Sequence, residues 1–134
     1  MNILKKIICG ILTTTVGFAA FSFNTVSAYS FIPENPIRSG DYDYVILEDG
    51  TVCLSDYHGS EPNLVLSAQI DGKLVTTCVI KFWDFDYLKS INFPDSITKL
   101  STTINNEYYS TGITGCTNLQ YVHLNNVKEI LGSL

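Results

Sequence analysis

The side chains able to do chemistry are few and scattered. His58 and His123 are the only histidines, and neither sits in a catalytic signature. There is no Gly-x-Ser-x-Gly elbow, no glycine-rich phosphate loop and no His-Glu-x-x-His pair. Zinc needs several His, Cys or carboxylate ligands converging on one point. Two histidines so far apart in sequence do not offer that, so no metal and no cofactor is expected. Asp41-Tyr42-Asp43 and Asp84-Phe85-Asp86 could be read as calcium ligands. Calcium takes about six to eight oxygens, which a bare Asp-x-Asp cannot supply, and both are read as solvated charge. Cys53, Cys78 and Cys116 follow Cys9 with no Cys-x-x-Cys pairing. A secreted disulfide framework would be denser and even in number. These three are read as small buried thiols, able to form at most one bridge. The expectation is a protein that is not an enzyme.

The aromatics carry more of the functional question. Trp83, beside Phe82 and Phe85, is expected to pack in the core. Tyr108 and Tyr109 lie in a polar stretch, where contact loops protrude, and exposed tyrosines are common anchors of recognition. The alternative is that they fold back over the body.

The first residues concern export. Lys5 and Lys6 precede an uncharged, mostly apolar run from Ile7 to Phe23, and Val26-Ser27-Ala28 offers small residues for cleavage. This order is that of a secretory signal peptide, residues 1–28. The apolar run, about 17 residues broken by Thr13-Thr14-Thr15 and Gly17, is marginal for spanning a bilayer. Membrane contact is expected only through this segment before cleavage. The whole chain of 134 residues has a formal charge of −5. Removing Lys5 and Lys6 makes the remainder more acidic, because none of the acidic residues lies in the leader. An acidic chain without a Lys/Arg cluster suits neither a nucleic-acid backbone nor an anionic membrane.

Pro33, Pro36, Ser39 and Gly40 make residues 29–41 an expected loose linker. Residues 42–57 read as a β-hairpin turning at Asp49-Gly50, a pair suited to a two-residue turn. That register sets Leu47 against Val52 and Val45 against Leu54 on a core face, with Tyr44, Ile46 and Cys53 half exposed on the other.

Beyond the hairpin the chain repeats itself. Leu88/Leu119, Ile91/Val122 and Phe93/Leu124 match at a separation of about 31 residues. With one residue deleted, Ile97/Val127 and Leu100/Ile130 match as well. A weaker copy upstream uses Leu64, Leu66, Ile70 and Val75 in the places of Ile91, Phe93, Ile97 and Leu100. Ile-x-Phe and Val-x-Leu are strand alternation with both large side chains on one face. Pro94-Asp95-Ser96 and Asn125-Asn126 then turn the chain. Such a unit cannot bury its own apolar face, whereas stacked copies cover one another.

The stretch Leu88-Lys89-Ser90-Ile91-Asn92-Phe93-Pro94-Asp95-Ser96-Ile97-Thr98-Lys99-Leu100 resembles the repeat of BspA-like leucine-rich repeat proteins, as does Gly115-Cys116-Thr117-Asn118-Leu119-Gln120-Tyr121-Val122. Residues 44–54, 64–66 and 70–76 resemble the segment that often precedes such repeats. The resemblance spans roughly residues 42–134. It implies a mainly β chain: a short right-handed leucine-rich repeat solenoid with an N-terminal β-hairpin cap. It also implies a bacterial secreted or cell-surface protein with a role in adhesion and protein binding, and it carries no catalytic residues. The chain departs from the family pattern before Leu88, where Lys81-Phe82-Trp83-Asp84-Phe85-Asp86-Tyr87 replaces the usual aromatic and Gly-Cys. It departs again in the longer turn at residues 102–113. Cys78 stands where the family places an inward aliphatic residue.

In such a fold the outward residues of stacked strands form a concave face, here Ser90 and Asn92 in one turn and Tyr121 and His123 in the next, with Val65 extending the row. This face is the expected ligand-binding site, and Tyr108 and Tyr109 are its candidate contact loop. The expected partner is a protein or cell-surface ligand, with a glycan as an alternative stacked on Trp83, Tyr108 and Tyr109. Val127, Ile130, Leu131 and Leu134 arrive with no following repeat to cover them. A last turn normally carries a polar outer face, so the expectation includes a truncated leader of a longer exported protein or a docking end.

Overall fold

The structure, a computed structural model, describes residues 33–130. The expected signal peptide, Leu131 and Leu134 lie outside these. Among the described residues the regular structure is all strand, and no helix is long and apolar enough to cross a membrane.

Three short strands carry the repeat: β4 (Asn63–Val65), β8 (Ser90–Asn92) and β12 (Tyr121–His123). They form one parallel sheet in the order β12-β8-β4. Val122 is the partner of Ile91, which in turn is the partner of Leu64. The apolar spacing of the sequence is therefore a spatial register. A second parallel ladder joins β7 (Lys81–Trp83) to β11 (Gly112–Thr114), with Phe82 opposite Ile113. A third runs through single bridges from Thr77 to Lys99 and from Lys99 to Glu129. The last corrects the weak copy: Cys78, not Val75, lies beside Leu100, since the Cys78 N–H donates to the Lys99 carbonyl at 3.1 Å.

Leu88, Ile91, Phe93 and Ile97 are fully buried, and Leu100 is nearly so. One repeat later Leu119, Leu124 and Val127 are only partly buried, while Val122 is 37% and Ile130 43% exposed. The same pattern of side chains thus grades from closed core to open face, because burial depends on a neighbour on each side.

The hairpin differs from its expected register. β2 (Tyr42–Ile46) and β3 (Val52–Tyr57) are antiparallel, but Ile46 pairs with Val52 and Tyr44 with Leu54. The reason is the turn. The Gly50 N–H donates to the Leu47 carbonyl at 2.9 Å and the Leu47 N–H to the Thr51 carbonyl at 2.8 Å. Gly50 has φ +83° while Asp49 does not enter the left-handed region. This is a three-residue loop with a left-handed glycine, which moves the register by one. Asp49 accepts from the Thr51 N–H and hydroxyl at 2.9 and 2.7 Å. Tyr44, Val52 and Leu54 consequently face the main core, while Val45 and Leu47 pack with Cys53 on the opposite side. A bulge returns the register: Tyr42 and Asp43 pair with Tyr57 and Asp56, leaving Ser55 without a strand partner. The two-residue geometry occurs instead at Asp71-Gly72, both at positive φ, between β5 (Gln69–Ile70) and β6 (Lys73–Cys78).

β6 runs parallel to β3, so the five-stranded sheet is β1-β2-β3-β6-β5. Its first strand, β1 (Ile37–Ser39), lies in the expected linker. Gly40 at φ +56° lets the chain reverse, and Arg38 pairs with Asp43. Loose structure is therefore not what these three residues adopt.

The polar stretch after Leu100 is a second hairpin, β9 (Ser101–Ile104) and β10 (Glu107–Ser110). Asn105 and Asn106 both have positive φ, as a two-residue turn of this hand requires. The hairpin folds over Cys53 and Val79, with Tyr109 and Ile104 in that second cluster.

Candidate interaction face

Alternation along β8 turns Ile91 inward and Ser90 and Asn92 outward; along β12 it turns Tyr121 and His123 outward. Register then aligns them in two rows, Asn63–Ser90–Tyr121 and Val65–Asn92–His123. All four residues expected at the site lie on one face, and Val65, 65% exposed, continues the second row. Tyr121 is 60% exposed, and its ring stacks on His123 with centroids 6.1 Å apart and planes 20° from parallel.

Side-chain hydrogen bonds fix the polar members. The Ser90 hydroxyl donates to Asn63 Oδ1 at 3.1 Å, and Asn125 Nδ2 donates to Asn92 Oδ1 at 2.9 Å and to the Phe93 carbonyl at 2.6 Å. Asn125 reaches both because it occupies the left-handed region at φ 49°, which asparagine tolerates. The face therefore presents a hydroxyl, amides, a phenol, an imidazole and one exposed valine, with no carboxylate among the six. It offers hydrogen bonds and stacking to a neutral surface, and no nucleophile in it is paired with a base.

The aromatic expectations need correction. Trp83 is 43% exposed and is not a core residue, because alternation along β7 spends the inward position on Phe82. Phe85 meets Phe82 edge-on at 6.0 Å and stacks with Tyr87 at 5.4 Å. Phe85 stands where the next repeat has Cys116, and Asp84 at φ 58° takes the conformation that Gly115 adopts at 72°. The candidate loop is divided. Tyr108 is 55% exposed, whereas Tyr109 is buried and its hydroxyl donates to Glu107 at 2.7 Å. Burial pushes the Tyr109 phenol up to about 12, with Glu107 adding to the shift.

Of the three thiols, Cys53 and Cys78 are fully buried and free. Desolvation raises both, Cys78 to about 11 and Cys53 further. Cys116 is half-buried and donates to the Phe82 carbonyl at 3.3 Å.

One cluster was missed in the sequence. Asp43 and Asp56 are cross-strand partners, and His58 closes on them with Nε2 2.9 Å from Asp43 and 3.5 Å from Asp56. The signal was present: the pairing that places Tyr42 opposite Tyr57 also places these two aspartates side by side.

Stacked parallel strands with inward aliphatics at a repeated spacing define a repeat-type, mainly β fold. No family model matches the chain, and no curated protein matches it by sequence. Among solved structures it is similar to a leucine-rich repeat protein of T. pallidum, at 22% identity and a TM-score of 0.53 over 72% of this chain and 42% of that one. It also aligns with a leucine-rich cell surface protein of Faecalibacterium prausnitzii A2-165, at 15% identity and a TM-score of 0.36 over 66% of this chain and 30% of that one. The chain thus spans less than half the length of either protein. The first likeness gives the fold class: leucine-rich repeat.

Proposed function

We propose that this chain is an exported, BspA-like leucine-rich repeat module that binds a protein on a cell surface and catalyses nothing. In this reading residues 1–28 direct export. Residues 42–130 form the described part of an incomplete right-handed solenoid whose first coil is capped by the β2–β3 hairpin. The binding surface is the face of Ser90, Asn92, Tyr121 and His123. The observation that carries the reading is their alignment in two outward rows, held by hydrogen bonds and a ring stack. Rigid tyrosines at low entropic cost suit recognition. A platform of so few strands favours weak or multivalent contact over tight solitary binding.

The test is biolayer interferometry of the immobilised chain against a panel of purified cell-surface and matrix proteins. A partner bound by wild type is expected to be lost by Tyr121→Ala combined with His123→Ala, at unchanged thermal stability. Equal retention of every partner by the double variant contradicts the assignment of the face. The glycan alternative keeps Trp83 and Tyr108 but loses Tyr109, whose ring is buried. A glycan array unaffected by Tyr108→Ala discards it.

A further inference from the structure

We propose that Asp43, Asp56 and His58 form a binding site for a divalent cation of the zinc type, held at present by the guanidinium of Arg38. The proposal is independent of the interaction face: Asp43 and Asp56 lie on β2 and β3, in a different sheet from β12-β8-β4.

The donors converge. One ligand atom from each residue lies within 4.8 Å of the others. His58 Nε2 is 2.9 Å from Asp43 Oδ2 and 3.5 Å from Asp56 Oδ2. In a tetrahedral zinc site with bonds of about 2.0–2.1 Å, neighbouring donors lie about 3.3 Å apart. The two separations from His58 bracket that value, and the two carboxylates lie within 4.8 Å of each other. Calcium, which seeks a shell of oxygens, is a poorer match to an imidazole and two carboxylates.

The positions are fixed by backbone. Asp43 and Asp56 face each other across the β2–β3 ladder beside its bulge, and bulges re-aim side chains near functional sites. His58 is tied down by its N–H, which donates to the Asp41 carbonyl at 2.7 Å. Asp43 is nearly buried, while the His58 side chain is 36% exposed, leaving an approach from solvent.

The present contacts conflict. His58 Nε2 is also 2.9 Å from Arg38 Nη2. If Nε2 carries a proton it can donate to Asp43 but then opposes the arginine N–H. If it carries a lone pair it accepts from Arg38 but then faces two carboxylates. One nitrogen cannot satisfy both neighbours. A cation at the centre satisfies all three, since the lone pair and both carboxylates then point at the same charge. Arg38 already acts as a stand-in. It grips Asp43 through Nε and through Nη2, the latter at 3.1 Å, and this pairing is the main cause holding the Asp43 carboxyl below its usual range. Its side chain is 57% exposed on edge strand β1 and can swing into solvent.

The experiment is calorimetric titration of the purified chain with zinc chloride. One equivalent is expected to bind. Asp56→Asn and His58→Gln should each weaken it by about tenfold or more, while His123→Ala and Cys116→Ser leave it unchanged. Arg38→Gln should tighten binding by removing the competitor. No stoichiometric binding, or binding indifferent to Asp56→Asn and His58→Gln, overturns the proposal; so does an Arg38→Gln affinity no greater than wild type. X-ray absorption of the zinc-loaded wild type needs no variant to fold: imidazole and oxygen scattering is expected, and sulfur in the shell places the ion elsewhere.

Discussion

Ile91 and Val122 hold the same place in successive repeats and are partners across β8 and β12, yet their truncation should cost very different amounts. Ile91 is fully buried between two neighbouring strands. Ile91→Ala removes about three carbons, worth about 2.5 kcal/mol of transfer free energy. The cavity cannot close between flanking strands, and this raises the cost to about 3–4 kcal/mol. Val122→Ala removes two carbons, worth about 1.6 kcal/mol if fully buried. Val122 is 37% exposed and lies on the outer strand of its sheet, so solvent fills the space and about 1 kcal/mol is lost. Urea unfolding followed by circular dichroism measures both. Since a domain holds only about 5–15 kcal/mol in total, Ile91→Val, costing about 1 kcal/mol for one carbon against about 1 kcal/mol for two at Val122, keeps the comparison open per carbon removed if Ile91→Ala does not fold. Equal losses at the two alanine sites, or a larger loss at Val122, would refute the reasoning that burial falls off toward β12.

Further outcomes follow from single groups. The Ser55 hydroxyl is buried at the bulge without a hydrogen-bond partner, so Ser55→Ala should raise the unfolding free energy by about 1 kcal/mol, read in the same urea assay. Asp71 accepts from the Tyr44 hydroxyl at 2.7 Å and from Ser39 at 2.8 Å, which lowers its folded pKa below the ordinary 3.8. A depressed carboxylate stabilises fully above its unfolded pKa and ceases to do so as pH falls through the folded one. Asp71→Asn should therefore be less stable than wild type at neutral pH, with the gap closing below about pH 3.8 in an acid titration. Alkylation by iodoacetamide at pH 8, mapped by mass spectrometry, should label Cys116 in the folded chain and reach Cys53 and Cys78 only in denaturant, since burial suppresses both thiolates.

The repeat was the legible part of this fold because it is written in long side chains at a fixed spacing. Leu64, Ile91 and Val122 hold matching places in the repeat, and the sheet aligns them in space. The hairpin register was not legible, because Asp49-Gly50 and Asp71-Gly72 are the same dipeptide and only the latter turns in two residues. What decides between them is the residue before the glycine, left-handed at Asp71 and not at Asp49, together with the Thr51 contacts that hold Asp49, which act over hydrogen bonds invisible in composition. Trp83 left its expected place in the core, and Tyr109 took the folded-back alternative while Tyr108 stayed exposed, for a similar reason. Each is assigned by the parity of one short strand, and a single-residue shift moves a ring from core to solvent. For the candidate face, placement of Ser90, Asn92, Tyr121 and His123 followed from alternation alone. In the Asp43–Asp56–His58 cluster the hairpin pairing brings the aspartates together, whereas His58 needed the chain to come back on itself at the Asp41 carbonyl, a closure that local pattern does not encode.

The most direct measurement of the stacking is through-hydrogen-bond scalar coupling by NMR on labelled protein. In this structure the Phe93 N–H donates to the His123 carbonyl at 2.9 Å, and the Gln120 N–H to the Lys89 carbonyl at 2.8 Å. Couplings between these nitrogen and carbonyl nuclei, with cross-strand contacts joining Ile91 to Val122, are the expected result. Couplings that pair residues 90–92 with a different segment, or an antiparallel pattern of contacts between β8 and β12, would contradict it.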